Sequence, residues 1–232
     1  MIHDSPINTT DSLIYPDIYH HQVSSDQPLK LGIMASGNGS NFEVIAQAIA
    51  DGKINAQIQV LIYNNPGAKA AVRAENWGVE AVLLNHRDYK NREKFDSQVV
   101  QILQQYDVEF VIMAGWMRLV TQVLIDAFPN RMINIHPSLL PSFKGVQAVE
   151  QALVAKVKIT GCTVHLVSLE VDSGEILIQA AVPVLPNDTS ETLHARIQVQ
   201  EHQILPMAIS LLKGNREPTV YTQVLSVWVC GI

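Results

Sequence analysis

Asn134 and His136 stand two residues apart in the apolar run "MINIH", and Pro137 and Pro141 bracket the turn that follows. In a strand, residues i and i+2 point to the same side, so both polar groups face one pocket. An asparagine amide can donate to a developing oxyanion, and a histidine beside it can act as acid, base or cation. A third group is needed to orient the imidazole. Asp172, in the loop "SLEVDSGEIL", offers a carboxylate, which near His136 would hold the ring partly charged around neutral pH. Taken one by one, the same residues also suit a hydrogen-bonded core histidine, a structural asparagine and a turn aspartate before Gly174. The abrupt bend makes Leu140–Pro141 a candidate cis peptide.

A second constellation lies near the start of the chain, where "ASGNGSN" joins a strand to a helix. Gly37 and Gly39 permit tight turns, and the helix start offers unpaired N–H groups at a positive dipole end. Ser40 and Asn41 add side-chain donors. The Gly-Lys-Ser/Thr of a Walker A loop is missing, and Phe42 stands where a dinucleotide fingerprint needs its third glycine. Two readings stand here: a site for one phosphomonoester, or a plain turn with Ser40 as N-cap.

These groups need elements to hold them. "LKLGIMA", "AQIQVLIYN", "VEAVLLN", "VEFVIMAG" and "MINIH" read as buried strands. Between them lie the helical patterns "SNFEVIAQAIADG", "GAKAAVRAENWG" (with Gly78 as its C′ stop), "NREKFDSQVVQILQQYD" and "TQVLIDAFP". Such alternation predicts an α/β fold with a doubly wound, mostly parallel sheet and right-handed crossovers. Ligands bind outside the carboxyl ends of such strands, where Asn134 and His136 fall. From Gly161 the rhythm changes: "GCTVHLVS" and "GEILIQAAVPV" predict an antiparallel C-terminal extension. "SETLHARIQVQEHQILPMAISLLKG" reads as a helix that Pro206 kinks or divides.

The composition limits the function. A chain of 232 residues has ample core for one domain. With 16 basic against 22 acidic residues and no basic block, a nucleic-acid partner is not expected. No apolar run reaches the ~20 residues that span a bilayer. Residues 1–28 lack the regions of a secretory signal and are read as a polar, mobile extension, with residues 29–232 a single cytoplasmic domain. Cys162 and Cys230 have no metal-ligand spacing and read as small buried hydrophobes; no metal is expected.

"SGNGSN", "MRLV", "NIHPSLLP", "GCTVHLV", "VDSGEILIQ" and "RIQVQEH" follow one another in the order and spacing of the phosphoribosylglycinamide formyltransferases. The resemblance covers residues 29–215. "NIHPSLLP" with a downstream "DSG" marks the wider formyl-folate transferase family, and "SGNGSN" its glycinamide ribonucleotide branch. The resemblance implies a Rossmann-like formyltransferase fold and formyl transfer from 10-formyltetrahydrofolate, as co-substrate, to the amine of 5-phosphoribosylglycinamide in purine biosynthesis. It implies that Gly39, Ser40 and Asn41 bind the ribonucleotide phosphate and that Gln198 and Glu201 contact the same substrate. It assigns Arg92, Met117, Arg118, Leu119, Val120 and Asn134 to the folate, and Asn134, His136 and Asp172 to catalysis. The 169–174 loop matches the segment that closes on the pterin.

The segment "FKGVQAVEQAL" departs from the family pattern: Lys144 replaces a proline and Gln147 a histidine. His165 and His202 are read as structural. A methionyl-tRNA formyltransferase would carry a further C-terminal domain and a formyltetrahydrofolate deformylase an N-terminal regulatory one; neither is expected here. A non-catalytic folate or nucleotide binder would not need all three of Asn134, His136 and Asp172. The assembly is expected to be a monomer or a homodimer.

Overall fold

The computed structural model describes residues 13–16 and 27–212. In chain order the elements are β1 (Ile14–Tyr15), β2 (Leu29–Ala35), α1 (Ser40–Ala50), β3 (Ala56–Tyr63), α2 (Lys69–Asn76) and β4 (Ala81–Leu83). A 3₁₀ turn (His86–Asp88) leads to α3 (Arg92–Gln105), β5 (Phe110–Met113), α4 (Gln122–Ala127) and β6 (Met132–His136). Then come α5 (Ala148–Val154), β7 (Ile159–Leu166), β8 (Ile176–Pro183) and α6 (Ser190–Leu211). The eight strands form one sheet in the order β1-β8-β7-β6-β5-β2-β3-β4. Strands β6 to β4 along that order pair in parallel, while β7, β8 and β1 add antiparallel pairs beyond β6.

Strand alternation sends side chains into two cores. From β2, Leu29, Leu31, Ile33 and Ala35 join Phe42 and Ile45 of α1 and Ile197, Ile204 and Ala208 of α6 on one face. Met34 points the other way, toward Phe95, Val99 and Leu103 of α3 and Leu124 of α4. Central strands covered on both faces must be apolar throughout, which is why they read as continuous hydrophobic runs.

The chain leaves β2 for β3 on one side and reaches β5 on the other. That reversal opens a crevice outside the carboxyl ends of β2 and β5, the usual ligand site of open α/β sheets. β6 lies next to β5, so its terminal Asn134 and His136 come to the same crevice.

The helix starts follow their sequences. Asn91 caps α3 by accepting from Lys94 N at 2.9 Å. Thr189 and Thr192 form a reciprocal capping box at α6. Asp188 fixes the same turn, taking two bonds from the Arg196 guanidinium at 2.7 and 2.9 Å and one from Leu185 N at 2.7 Å. This partnership holds the Asp188 carboxyl well below the usual carboxylate range, the Arg196 bonds first among its causes.

Two expectations need correction here. Pro206 does not divide the last helix, which runs unbroken from Ser190 to Leu211. Gly39, not Ser40, is the N-cap of α1; it has φ 73° and makes no side-chain cap bond. Two elements went unforeseen: the seven-residue α5, and β1, which falls within residues 1–28 and pairs Ile14 with Ala180 of β8. Elsewhere, Gly78 follows the α2 C-cap with φ 66°, Leu140–Pro141 is cis, and Cys162 is buried. Cys230 lies outside the described residues.

Candidate active site

A cleft of about 890 Å³ runs along the carboxyl ends of β2, β5 and β6, within the size range of small-molecule sites. Its lining includes every residue to which the resemblance gave a binding or catalytic role: Gly39, Ser40, Asn41, Arg92, Met117, Arg118, Leu119, Val120, Asn134, His136, Asp172, Gln198 and Glu201. They fall into a polar end, a centre and a largely apolar end.

The polar end is the turn after β2 set against α6. Gly39 has left-handed backbone geometry, and a Cβ there would lie 2.7 Å from the Ala70 Cα. Glycine is therefore required by the approach of α2, independently of any ligand. Ala70 N donates to Gly37 O at 3.2 Å, and Arg73 Nε donates to Asn38 O at 2.9 Å, so the turn is braced from behind. Glu43 anchors Arg73 in turn, accepting from Arg73 at 2.9 Å and from Trp77 Nε1 at 2.8 Å.

Facing the turn, α6 presents His194, Gln198 and Glu201, which fall on one face of the helix at i, i+4 and i+7. Gln198 Nε2 donates to Ser40 Oγ at 3.0 Å, and Asn41 Nδ2 donates to Glu201 Oε2 at 3.2 Å. Burial pushes the Glu201 carboxyl above its usual value, against the opposing Asn41 bond. Asn41 Oδ1 is buried and finds no partner among the described residues. Buried polar atoms are normally satisfied, so this end is suited to a polar guest.

At the centre, Asn134 and His136 project from the end of β6, and Asp172 reaches them from the loop between β7 and β8. His136 Nδ1 lies 3.3 Å from Asp172 Oδ2, and its Nε2 lies 2.9 Å from Phe143 O. Both ring nitrogens face acceptors, so only the doubly protonated ring can satisfy both. Gly145 N also donates to Asp172 Oδ2, at 2.8 Å.

His165 belongs here too, where a merely structural role was expected. It pairs across the sheet with Asn134. Its Nε2 stands 3.6 Å from Asp172 Oδ1 and 3.2 Å from Asn134 Nδ2, while Nδ1 faces Leu166 O at 2.8 Å. Burial works to raise the Asp172 carboxyl, but the His165 contact, the Gly145 N–H and the charge of both imidazoles outweigh it and hold the group below its usual value. Asn134 Nδ2 also approaches Asp172 Oδ1, at 3.5 Å, long enough to yield to a better acceptor.

The apolar end is the segment after β5. Met117 and Leu119 line the cleft with much of their surface open, 72% and 52% respectively. Val146 and Leu169 face it from the other side. The segment is tied down at both ends: Met117 N donates to Ser36 Oγ at 2.8 Å, and Thr121 N donates to the buried Asp96 Oδ2 at 2.6 Å. Arg118 stacks over Phe95, its guanidinium carbon 4.9 Å from the ring centroid. Burial raises the Asp96 carboxyl and lowers the Arg118 guanidinium, and the charge of each opposes the other's shift. Arg92, the first residue of α3, completes this wall.

Residues 29–209 match the model of the formyl transferase family. The chain belongs to that family. It is 39% identical over 185 residues to the phosphoribosylglycinamide formyltransferase of Bacillus subtilis, covering 80% of this chain and 95% of the relative. It is 40% identical over 196 residues to the human trifunctional purine biosynthetic protein adenosine-3, covering 84% of this chain but only 19% of that protein's length. Among solved structures, glycinamide ribonucleotide transformylase 1 from Symbiobacterium toebii superposes with a TM-score of 0.81 at 43% identity, covering 83% of this chain and 91% of that one. The formyl transferase architecture is therefore shared over nearly the whole described sheet.

Sequence reasoning gave no site role to four cleft or support residues. His194 could have been found, since it precedes Gln198 and Glu201 at helical spacing. Ser36, inside the glycine turn, and His165 and Asp96 make their contacts across the fold, which their own segments do not show.

Proposed function

We propose that the chain transfers the formyl group of 10-formyltetrahydrofolate to the amine of 5-phosphoribosylglycinamide. The observation that carries this reading is the position of Asn134, His136 and Asp172, midway along one cleft between a polar and an apolar end. The ribonucleotide takes the polar end, with its phosphate at Gly39, Ser40 and Asn41 and its remaining polar groups toward Gln198 and Glu201. The folate takes the other end, along Arg92 and residues 117–120.

The amine then attacks the formyl carbon, forming a C–N bond and a tetrahedral intermediate with an oxyanion. Asn134 Nδ2 turns from its long contact with Asp172 to donate to that oxygen. The imidazolium of His136 supplies positive charge, and Asp172 holds it there. The amine's proton leaves through water to the Asp172 side, the C–N bond to the folate breaks, and the folate nitrogen takes up a proton that His136 helps deliver. Because both His136 protons are already engaged, that delivery requires one of them to exchange Phe143 O or Asp172 for the leaving nitrogen.

The test is an absorbance assay with purified protein, 10-formyltetrahydrofolate and the ribonucleotide. Folate product should form only when both substrates are present. Steady turnover without ribonucleotide would indicate hydrolysis, as in a deformylase, and no turnover with both would leave a binding protein.

A further inference from the structure

The loop behind His136 and the loop that carries Asp172 are both built from unfavourable backbone. Phe143, Gln147 and Asp172 have φ of 56°, 58° and 49°, values that side-chain-bearing residues hold only when their surroundings impose them. Gln151 Nε2 pins the first loop from α5, donating to Lys144 O at 3.1 Å and Val146 O at 2.8 Å. Apart from the contacts that Asp172 itself makes, the Asp172 loop is cross-linked to the loop behind His136, among the described residues, through Lys144. Lys144 Nζ donates to Ser173 Oγ at 2.5 Å and lies 3.3 Å from Glu170 Oε1. Its ammonium therefore grips residues on both sides of Asp172. Ser168 Oγ and Ser173 Oγ close the loop on itself, donating to Glu170 O and Val171 O. Gly174 ends it where a Cβ would lie 1.7 Å from Leu166 O, so the chain there packs too close to β7 for any side chain.

We propose that Lys144 is a positioning residue, a cationic latch that ties the 169–174 loop to the loop behind His136 and so holds Asp172 against His136 and Leu169 and Val171 over the cleft. The two grips differ in strength. The Glu170 side chain is 79% exposed, and an ion pair so open to solvent contributes little. The Ser173 bond carries most of the effect.

The proposal rests on the formyl-transfer reading for its catalytic half only. Hydrogen exchange of residues 169–174 in the unliganded chain tests the latch by itself, and steady-state kinetics test its consequence. Lys144→Met should speed exchange across this loop and lower kcat about tenfold, the worth of one charge-assisted hydrogen bond, with the ribonucleotide KM nearly unchanged. The acid limb of the rate profile should move to higher pH, because a loosened Asp172 loses donors that keep its carboxyl low. Lys144→Arg should restore part of the loss. Ser173→Ala should reproduce it by removing the partner instead of the cation, which separates the effect from a folding defect of one variant, and Glu170→Gln should do less. Unchanged exchange in Lys144→Met overturns the latch whatever reaction the chain catalyses. Faster exchange with unchanged kcat and acid limb overturns the positioning role. A wild-type chain that transfers no formyl group overturns the reading in the preceding section, and exchange then decides the latch alone.

Discussion

The two ends of the cleft are prepared for their guests in opposite ways. At the polar end, side chains from α1, α2 and α6 already bond to one another and to the turn backbone, through Gln198–Ser40, Asn41–Glu201 and Arg73–Asn38. At the apolar end, Met117, Leu119, Val146 and Leu169 stand open to water, and only the backbone beneath them is fixed. A small charged ligand gains most from donors that need not move, since ordering them on binding would cost affinity. A large flat ligand gains from apolar area that it covers itself. The cleft thus resembles a socket at one end and an uncovered platform at the other, with Asn134, His136 and Asp172 where they meet.

The strongest way to break this picture is at the junction. Asp172→Asn should leave the fold intact and lower kcat by roughly 10²–10³, about 2–4 kcal/mol of transition-state stabilisation. Both KM values should move far less, because neither end has been touched. A variant with near-normal kcat would reduce Asp172 to a turn residue.

The next effect is confined to the polar end. Gln198→Ala removes the bond to Ser40 and a cleft-facing amide, and should raise the ribonucleotide KM about tenfold, the upper range for a single hydrogen bond. The folate KM should stay put; if both rise together, the ends are not independent. Gly39 is a poor probe here, since any side chain meets Ala70 and would disturb α2 before it disturbed a ligand.

A smaller change is expected at the platform. Leu119→Ala removes three carbons from a side chain already half covered by the protein. About 1 kcal/mol, or roughly fivefold, should appear in the folate KM alone. Titration of each variant with folate and ribonucleotide separately would show whether the losses stay at their own ends.

The smallest kinetic effect belongs to a residue outside both ends. Asp188→Asn should cost about 1.5–3 kcal/mol of stability by weakening a charged hydrogen-bond set, with kcat and KM unaltered at temperatures where the variant is folded. The pH sign follows from its depressed carboxyl. Its stabilisation is complete above the ordinary carboxylate range and is lost as pH falls through the lowered folded value. Denaturation curves of the two proteins should differ most near neutrality and converge in acid.

Much of this arrangement was legible in the residues. Central strands betray themselves because burial on both faces leaves no polar position, and "MINIH" is conspicuous because it breaks that rule with Asn134. The glycine turn could be recognised, but not why Gly39 is needed, since Ala70 approaches from a helix thirty residues later in the chain. His165 was misjudged for the same physical reason. Its neighbours are apolar, and only the antiparallel register that sets it opposite Asn134 brings it to Asp172. Short elements were equally hidden: α5 has seven residues and β1 two, too few for a period to emerge.

The sheet ends in its shortest strands, β1 with two residues on one side and β4 with three on the other. An outer strand is where a foreign chain can add itself, amide by amide, and the gain from such zippering grows with the length of unpaired backbone on offer. Six longer strands lie between them in the described sheet, and each short edge strand covers only part of its neighbour: β1 pairs with two residues of β8 and β4 with three of β3. Among the described residues, the backbone open to a second copy is therefore the part of β8 and of β3 that these short strands leave uncovered, so a foreign strand would have to seat beside an existing one rather than along a clear edge.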